Sequence, residues 1–188
     1  VFGYTVDYEG DRWFTLILKD TRTGGSQQVK YVGPGLAFAA DNKSVFYLKL
    51  QAGTGRAYRL MKHIIATDPK TDKTVFEEKD SRFELSLRTS KSGRTLLLTS
   101  SQTDTSEVYF VDASKPDAKW TSIKPRSSGV LYDADEVGGQ FFINTSLNAP
   151  DRRIVTAPLA QPSNWTEVVP TQRGAWIQGF EVVGGVIA

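Results

Sequence analysis

Turn signals recur along this chain in two interleaved series that share one period. In the first series, Asp41-Asn42-Lys43 precedes Val45-Phe46-Tyr47-Leu48, and Lys91-Ser92-Gly93-Arg94 precedes Leu96-Leu97-Leu98. Val137-Gly138-Gly139 precedes Phe141-Phe142-Ile143, and Val183-Gly184-Gly185 precedes Val186-Ile187. The spacing averages about 47 residues, within the range of propeller blades. The second series runs in phase with it: Asp20–Gly24, Asp68–Asp72, Asp112–Asp117 and Ala157–Pro162 each end one apolar stretch and open another. Gly, Pro and Asp supply the turn geometries such places need. Two turns per period mean two hairpins per repeat, and two hairpins make a four-stranded meander, the unit of a β-propeller.

The stretches between turns alternate as strands should. One complete unit reads Leu36–Phe38, Val45–Leu50, Tyr58–Ile65 and Thr74–Glu77. The next reads Leu85–Leu87, Thr95–Thr99, Glu107–Asp112 and Trp120–Ile123, and a third Leu131–Ala134, Gln140–Asn144, Arg153–Ala157 and Trp165–Val169. Before them come Val1–Asp7, Trp13–Asp20 and Gln28–Val32, and after them Phe180–Val183. No stretch reads as a long amphipathic helix. The expected fold is all-β, a partial β-propeller of about three and a half four-stranded blades. The expected limits are 1–35 (a partial blade), 36–83, 84–129, 130–178 and 179–188 (the start of another). Starting and stopping inside a blade would leave edges unpaired, so a segment of a longer polypeptide is expected.

Composition excludes several functions. The 188 residues carry no cysteine, which removes disulfide frameworks and thiolate metal sites. A net charge of +2 from 23 basic and 21 acidic residues is no nucleic-acid footprint. No apolar run is long enough for a membrane helix.

Candidate chemistry is sparse. His63 is the one histidine, alternates with Met61 and Ile65, and reads as a packed or hydrogen-bonded strand residue. There is no Gly-x-Ser-x-Gly elbow. Asp68 and Asp72 are too few for a calcium cage, and Gly33-Pro34-Gly35 lacks the strand-to-helix setting of a phosphate loop. Neither a metal nor a cofactor is expected. The Asn144 and Asn164 sequons are of a kind that arises often by chance. Glu77–Asp80 read as a solvated turn, and Trp13, Trp120, Trp165 and Trp176 as packing between blades. Asp133 and Asp135 share one face of an innermost strand, where they would line the central channel and favour cationic guests.

Three stretches resemble the propeller of the oligopeptidase B family. They are His63-x-x-Ala66-Thr67-Asp68-Pro69 with Val75–Asp80 and Phe83; Ser100-Ser101 with Ser106-Glu107-Val108 and Asp112-Ala113; and Trp165-x-Glu167-Val168-Val169-Pro170 leading to Gly179-Phe180-Glu181. Order and spacing hold along nearly the whole chain. It departs mildly from the family at Ala66, where Gly is usual, and at Ile123–Arg126, where Leu-Pro-Arg is usual. The resemblance implies a cytoplasmic serine peptidase in which a seven-bladed propeller caps an α/β-hydrolase domain of the same polypeptide. It implies short peptides cut after Arg or Lys, with no nucleic-acid or membrane partner. The catalytic residues belong to the hydrolase domain, so none maps onto this chain. If the loops joining second to third strands face that domain, Glu9, Asp11 and Arg12 are expected as hinge or salt-bridge residues, with Arg126 and Arg173 behind them. Two other readings stand beside this one. A WD-repeat scaffold would carry Trp-Asp and Gly-His dipeptides, and both are absent. A related peptidase with proline or N-terminal specificity is the other.

Overall fold

The structure, a computed structural model, describes residues 1–183 together with 186 and 187. The expected Gly184-Gly185 turn and Ala188 lie outside the described residues. Strands pair antiparallel in chain order. The strands β1 (Phe2–Val6), β2 (Phe14–Lys19), β3 (Ser26–Phe38), β4 (Ser44–Leu50), β5 (Ala57–Ile64) and β6 (Lys73–Glu77) form one sheet. A second sheet holds β7 (Glu84–Thr89), β8 (Thr95–Ser101), β9 (Ser106–Asp112) and β10 (Thr121–Ser122). A third holds β11 (Tyr132–Val137), β12 (Gln140–Thr145), β13 (Arg153–Pro158) and β14 (Thr166–Val169), and β15 (Val182–Val183) pairs with β16 (Val186–Ile187). The helical content among the described residues is one turn, Pro69–Thr71, in which the Asp68 carboxylate accepts the Lys70 N–H. The fold is an all-β propeller segment.

The apolar runs of the second strands show how the sheets stack. Leu96 and Leu98 enter one core cluster, with Phe46, Leu48 and Leu60 of the first sheet. Leu97 points the other way, into a cluster with Phe141, Ile143 and Val155 of the third sheet. Likewise Phe46 and Leu48 join the first of these clusters, while Val45 and Tyr47 join a third with Leu16, Leu18 and Val32. A strand covered on both faces loses the polar half of its alternation. Burying each such side chain contributes about 1.5–3 kcal/mol.

β3 departs from expectation. The sequence predicts two strands, Gln28–Val32 and Leu36–Phe38, and the structure runs them together. The first part pairs with β2, the second pairs with β4, and the register shifts between Val32 and Leu36. Gly33-Pro34-Gly35 falls at the shift, where the proline's fixed φ suits extended backbone and lets the chain cross without a loop. Gly35 is needed there: a Cβ would stand 2.9 Å from the Leu87 carbonyl of β7.

The tight turns are held by their own side chains. The Asp41 carboxylate accepts the N–H groups of Lys43 (2.9 Å) and Ser44 (2.8 Å) and the Ser44 hydroxyl (2.7 Å). Three tryptophans pack as expected: Trp120 meets Phe46 edge-on at 5.6 Å, Trp165 lies against the cluster that holds Leu97 and Val108 of the second sheet, and Trp13 lies against the first cluster. Trp176 does not, and is 68% exposed. It stands in the irregular segment between β14 and β15, not on a strand that a neighbouring sheet would cover.

Candidate functional site

Successive connections of an antiparallel meander fall at alternate ends, and the Gly33–Gly35 crossing inside β3 counts as one of these connections. The β1–β2, β4–β5, β8–β9 and β12–β13 loops therefore share one end with the β6–β7, β10–β11 and β14–β15 crossings. That end carries Glu9, Asp11, Arg12, Arg126 and Arg173.

The β1–β2 loop is organised around Asp7. Its carboxylate accepts the N–H groups of Gly10 (2.8 Å), Asp11 (3.2 Å) and Arg12 (2.8 Å). The bond from the Arg12 N–H, chief among these, holds Asp7 below the ordinary carboxylate range. Arg12 takes a positive φ of 68°, uncommon for a residue with a Cβ. Asp11 turns back to accept the Trp13 N–H at 3.0 Å. Glu9, Asp11 and Arg12 are exposed and enter no ion pair among the described residues. Arg173 is exposed in the segment after β14.

Arg126 stands differently. Its Nη2 meets Glu78 at 2.7 Å, its Nε meets Glu107 at 3.2 Å, and its guanidinium lies 4.1 Å from the centre of the Phe83 ring. The side chains of Glu78 and Glu107 are only 4% and 8% exposed. Burial pushes Glu78 upward. The Ser100 hydroxyl at 2.6 Å, the Asp80 N–H and Arg126 outweigh it and hold the carboxyl below its usual range. Burial and the Glu107 carboxylate push the nearby Tyr109 phenol up. The crossing that carries Arg126 is fixed by Tyr132, whose hydroxyl accepts the Val108 N–H at 2.9 Å and donates to the Lys124 carbonyl. The solvated turn expected at Glu77–Asp80 is thus corrected in its middle. Glu77 is exposed beside Arg59 and Asp80 pairs with Arg82, but Glu78 turns under the crossing to meet Arg126. A run of charges in sequence hid one inward-facing member.

Asp133 and Asp135 lie on one face of β11, the first strand of its sheet, as the period of two requires. Arg88 of β7 reaches both: Nη2 to Asp133 at 3.4 Å and Nη1 to Asp135 at 3.2 Å, while Nη2 also donates to the Ala134 carbonyl. Asp135 accepts the backbone N–H groups of Lys91 (2.9 Å) and Glu136 (2.8 Å) as well. The pair is therefore not a bare acidic patch, because an arginine from the preceding sheet neutralises part of it. Sequence reasoning missed Arg88, although it is the outward neighbour of the buried Leu87 and so points toward the next sheet.

His63 is fully buried. Its Nδ1 faces Asp72 at 2.7 Å and its Nε2 faces Gln27 at 3.0 Å, and Asp72 also accepts the Tyr47 hydroxyl at 2.8 Å. The ring ties β3 to β5 as a hydrogen-bonded strand residue and does not meet a serine. Among the described residues no three His, Asp or Glu side chains gather as a metal site would require. No helix among them is long and apolar enough to cross a membrane. What the chain offers is a rigid, charged end and a charged inner edge.

Comparison with known proteins adds to this. Residues 1–188 match the family described as prolyl oligopeptidase, N-terminal beta-propeller domain. The chain is 28% identical over 190 residues to dipeptidyl aminopeptidase BI of Pseudoxanthomonas mexicana, covering 98% of this chain and 26% of that protein. It is 27% identical over 180 residues to protease 2 of Moraxella lacunata, covering 94% of this chain and 26% of the relative. The chain spans about a quarter of the length of these curated relatives. Among solved structures, oligopeptidase B from Leishmania major superposes with a TM-score of 0.88 at 24% identity, over 96% of this chain and 26% of that one, a likeness of fold.

Proposed function

Because the chain belongs to the prolyl oligopeptidase N-terminal β-propeller family, we propose that it is the gating lid of an oligopeptidase B-like serine peptidase cutting short peptides after arginine or lysine. The observation that carries this reading is the family match along all of residues 1–188, with relatives whose names are those of peptidases. The partner is an α/β-hydrolase domain of the same polypeptide, in the cytoplasm, holding the nucleophile, its base and the pocket for the basic side chain. The lid acts by size: a stack of rigid sheets admits thin, unfolded peptides and turns folded proteins away. Its divisions are a partial blade over 1–35, blades over 36–83, 84–129 and 130–178, and the start of another over 179–188.

The loop end is the face we assign to the hydrolase domain. The capped β1–β2 loop presents Glu9, Asp11 and Arg12 outward on a fixed backbone, and Arg173 stands exposed at the same end. Arg126 serves behind them as a positioning residue, tied to Glu78 and Glu107. A second reading draws on the dipeptidyl aminopeptidase relative: the parent removes residues from free N-termini.

The experiment is a hydrolysis assay on the full-length polypeptide, comparing an N-blocked arginyl amide, a dipeptidyl amide with a free amine and a folded protein. The first reading expects rapid cleavage of the blocked arginyl substrate and none of the folded protein. Preference for the free amine favours the second, and cleavage of neither small substrate overturns both. Charge reversal at Glu9 and Asp11 should change the salt dependence of turnover, and an unchanged profile removes these residues from the interface.

A further inference from the structure

The lid reading leaves unused a cavity of about 240 Å3 beside the inner edge of the third sheet. Its walls include Arg88, Asp133, Asp135, Asn144, Arg152 and Glu181. The cations and carboxylates around it are mostly spent on one another. Asp135 is filled by Arg88 and by the N–H groups of Lys91 and Glu136. Glu181 pairs with the Lys91 ammonium.

Two acceptors are left over. Asp133 has only a 3.4 Å contact from Arg88 to one oxygen, and its side chain is 60% exposed. Asn144 is 3% exposed, its Nδ2 donates to the Ile177 carbonyl at 3.2 Å, and its Oδ1 has no donor among the described residues. The Ile177 bond fixes which way the amide faces, so the orphan is the acceptor and not the donor. A buried carbonyl oxygen without a donor is rare in native proteins and calls for a partner. The two acceptors are also neighbours, because Asp133 and Asn144 stand directly opposite in the β11–β12 register. Directly opposed side chains share a face of the sheet and lie within reach of one another.

We propose that Asp133 and Asn144 form a subsite for a cationic N–H donor, the guanidinium or primary ammonium of a basic side chain. Such a group brings two or more donors at once, one for the carboxylate and one for the amide oxygen. An anion would have Arg152 alone to meet it, since Arg88 and Lys91 are held by carboxylates, and Arg152 itself leans over the Trp176 ring at 5.6 Å. The volume suits a head group with part of its stem. The source of the cation, a basic peptide entering the lid, rests on the peptidase reading. The subsite itself does not.

The test is calorimetric titration of the full-length polypeptide with argininamide, and with citrullinamide as the uncharged isostere. The wild type should show a weak binding component that citrullinamide lacks. Asp133→Asn should weaken that component by about tenfold, the scale of one charged contact, and Asp133→Glu should retain it. Asn144→Leu should weaken it comparably. Asp133 is exposed, so its variants fold even where the buried Asn144 variant does not. Any argininamide site in a hydrolase domain appears equally in all variants and cancels in the comparison. Superimposable titrations for wild type and Asp133→Asn overturn the subsite. A lost component in a parent without peptidase activity keeps the subsite and sinks the lid reading, and peptidase activity with superimposable titrations does the reverse.

Discussion

Two clusters in this chain share one inventory, an arginine between two carboxylates, and differ in surroundings. Arg126 sits between Glu78 and Glu107, whose side chains are 4% and 8% exposed, and covers the Phe83 ring. Arg88 sits between Asp133 and Asp135, at 60% and 22% exposure. The first cluster fastens the β10–β11 crossing to the end of β6, so it belongs to the fold. The second lies at an open sheet edge, where water competes for the same charges, so it is the one left available for the proposed subsite. Burial, more than pairing, separates a structural charge from an available one.

Removing the buried arginine should have the largest effect. Arg126→Met strands two desolvated carboxylates, and breaking a buried pair in this way costs about 3–5 kcal/mol. The midpoint of the propeller's unfolding transition in urea measures it, and a loss below about 1 kcal/mol would mean that water reaches the cluster. Adding Glu78→Gln and Glu107→Gln to Arg126→Met should recover much of the loss, because the penalty lies in the unpaired charge and not in the missing bond.

Gly35→Ala sharpens the contrast from the steric side. The added methyl would meet the Leu87 carbonyl at 2.9 Å, next to Arg88 but independent of its charge. Overpacking of this kind costs about 1–3 kcal/mol. The loss should be the same at low and high salt, and a salt-dependent loss would show that the substitution acts through Arg88.

Acid should then separate the clusters. Glu78 is held below its usual range in the folded chain, so its contribution is complete above the ordinary value of 4.5 and is lost as pH falls through the lower folded value. Stability followed by circular dichroism from neutral to about pH 3 should fall on the acid side in the wild type. In Arg126→Met protonation relieves a stranded charge, so the acid loss should shrink, and an unchanged acid limb would remove Glu78 as its source.

Much of the fold was legible because it is written in period. Turns at a regular spacing placed the strands to within a few residues. Runs such as Leu96-Leu97-Leu98, too apolar for a one-faced strand, carried a further signal that went unread, that of a sheet covered on both sides. The fused β3 was not legible, since Gly33-Pro34-Gly35 looks like a turn and becomes a crossing only because β7 lies against Gly35. The inner edge was half legible. The period of two put Asp133 and Asp135 on one face, but Arg88 lies 45 residues before Asp133 and meets it only once the sheets stack. Glu78 was hidden among the charges of Glu77–Asp80. Asn144 entered only as part of a sequon of a kind that arises often by chance, and it is buried in β12.

The smallest effect should come from Arg88. Its partners are partly solvated, so Arg88→Gln removes only pairings that sit near the surface, and such pairs contribute less than about 1 kcal/mol. Raising the salt to about 1 M shortens the screening length to about 3 Å and should abolish most of the remaining difference from wild type. The same salt should leave the gap between wild type and Arg126→Met nearly intact, because that arginine faces carboxylates from which water is largely excluded. Salt titrations of the unfolding midpoint for the two variants, run side by side, make the measurement. Parallel salt responses would mean that the two clusters are equally wet, and the difference in burial would then carry no consequence for which of them can bind a guest.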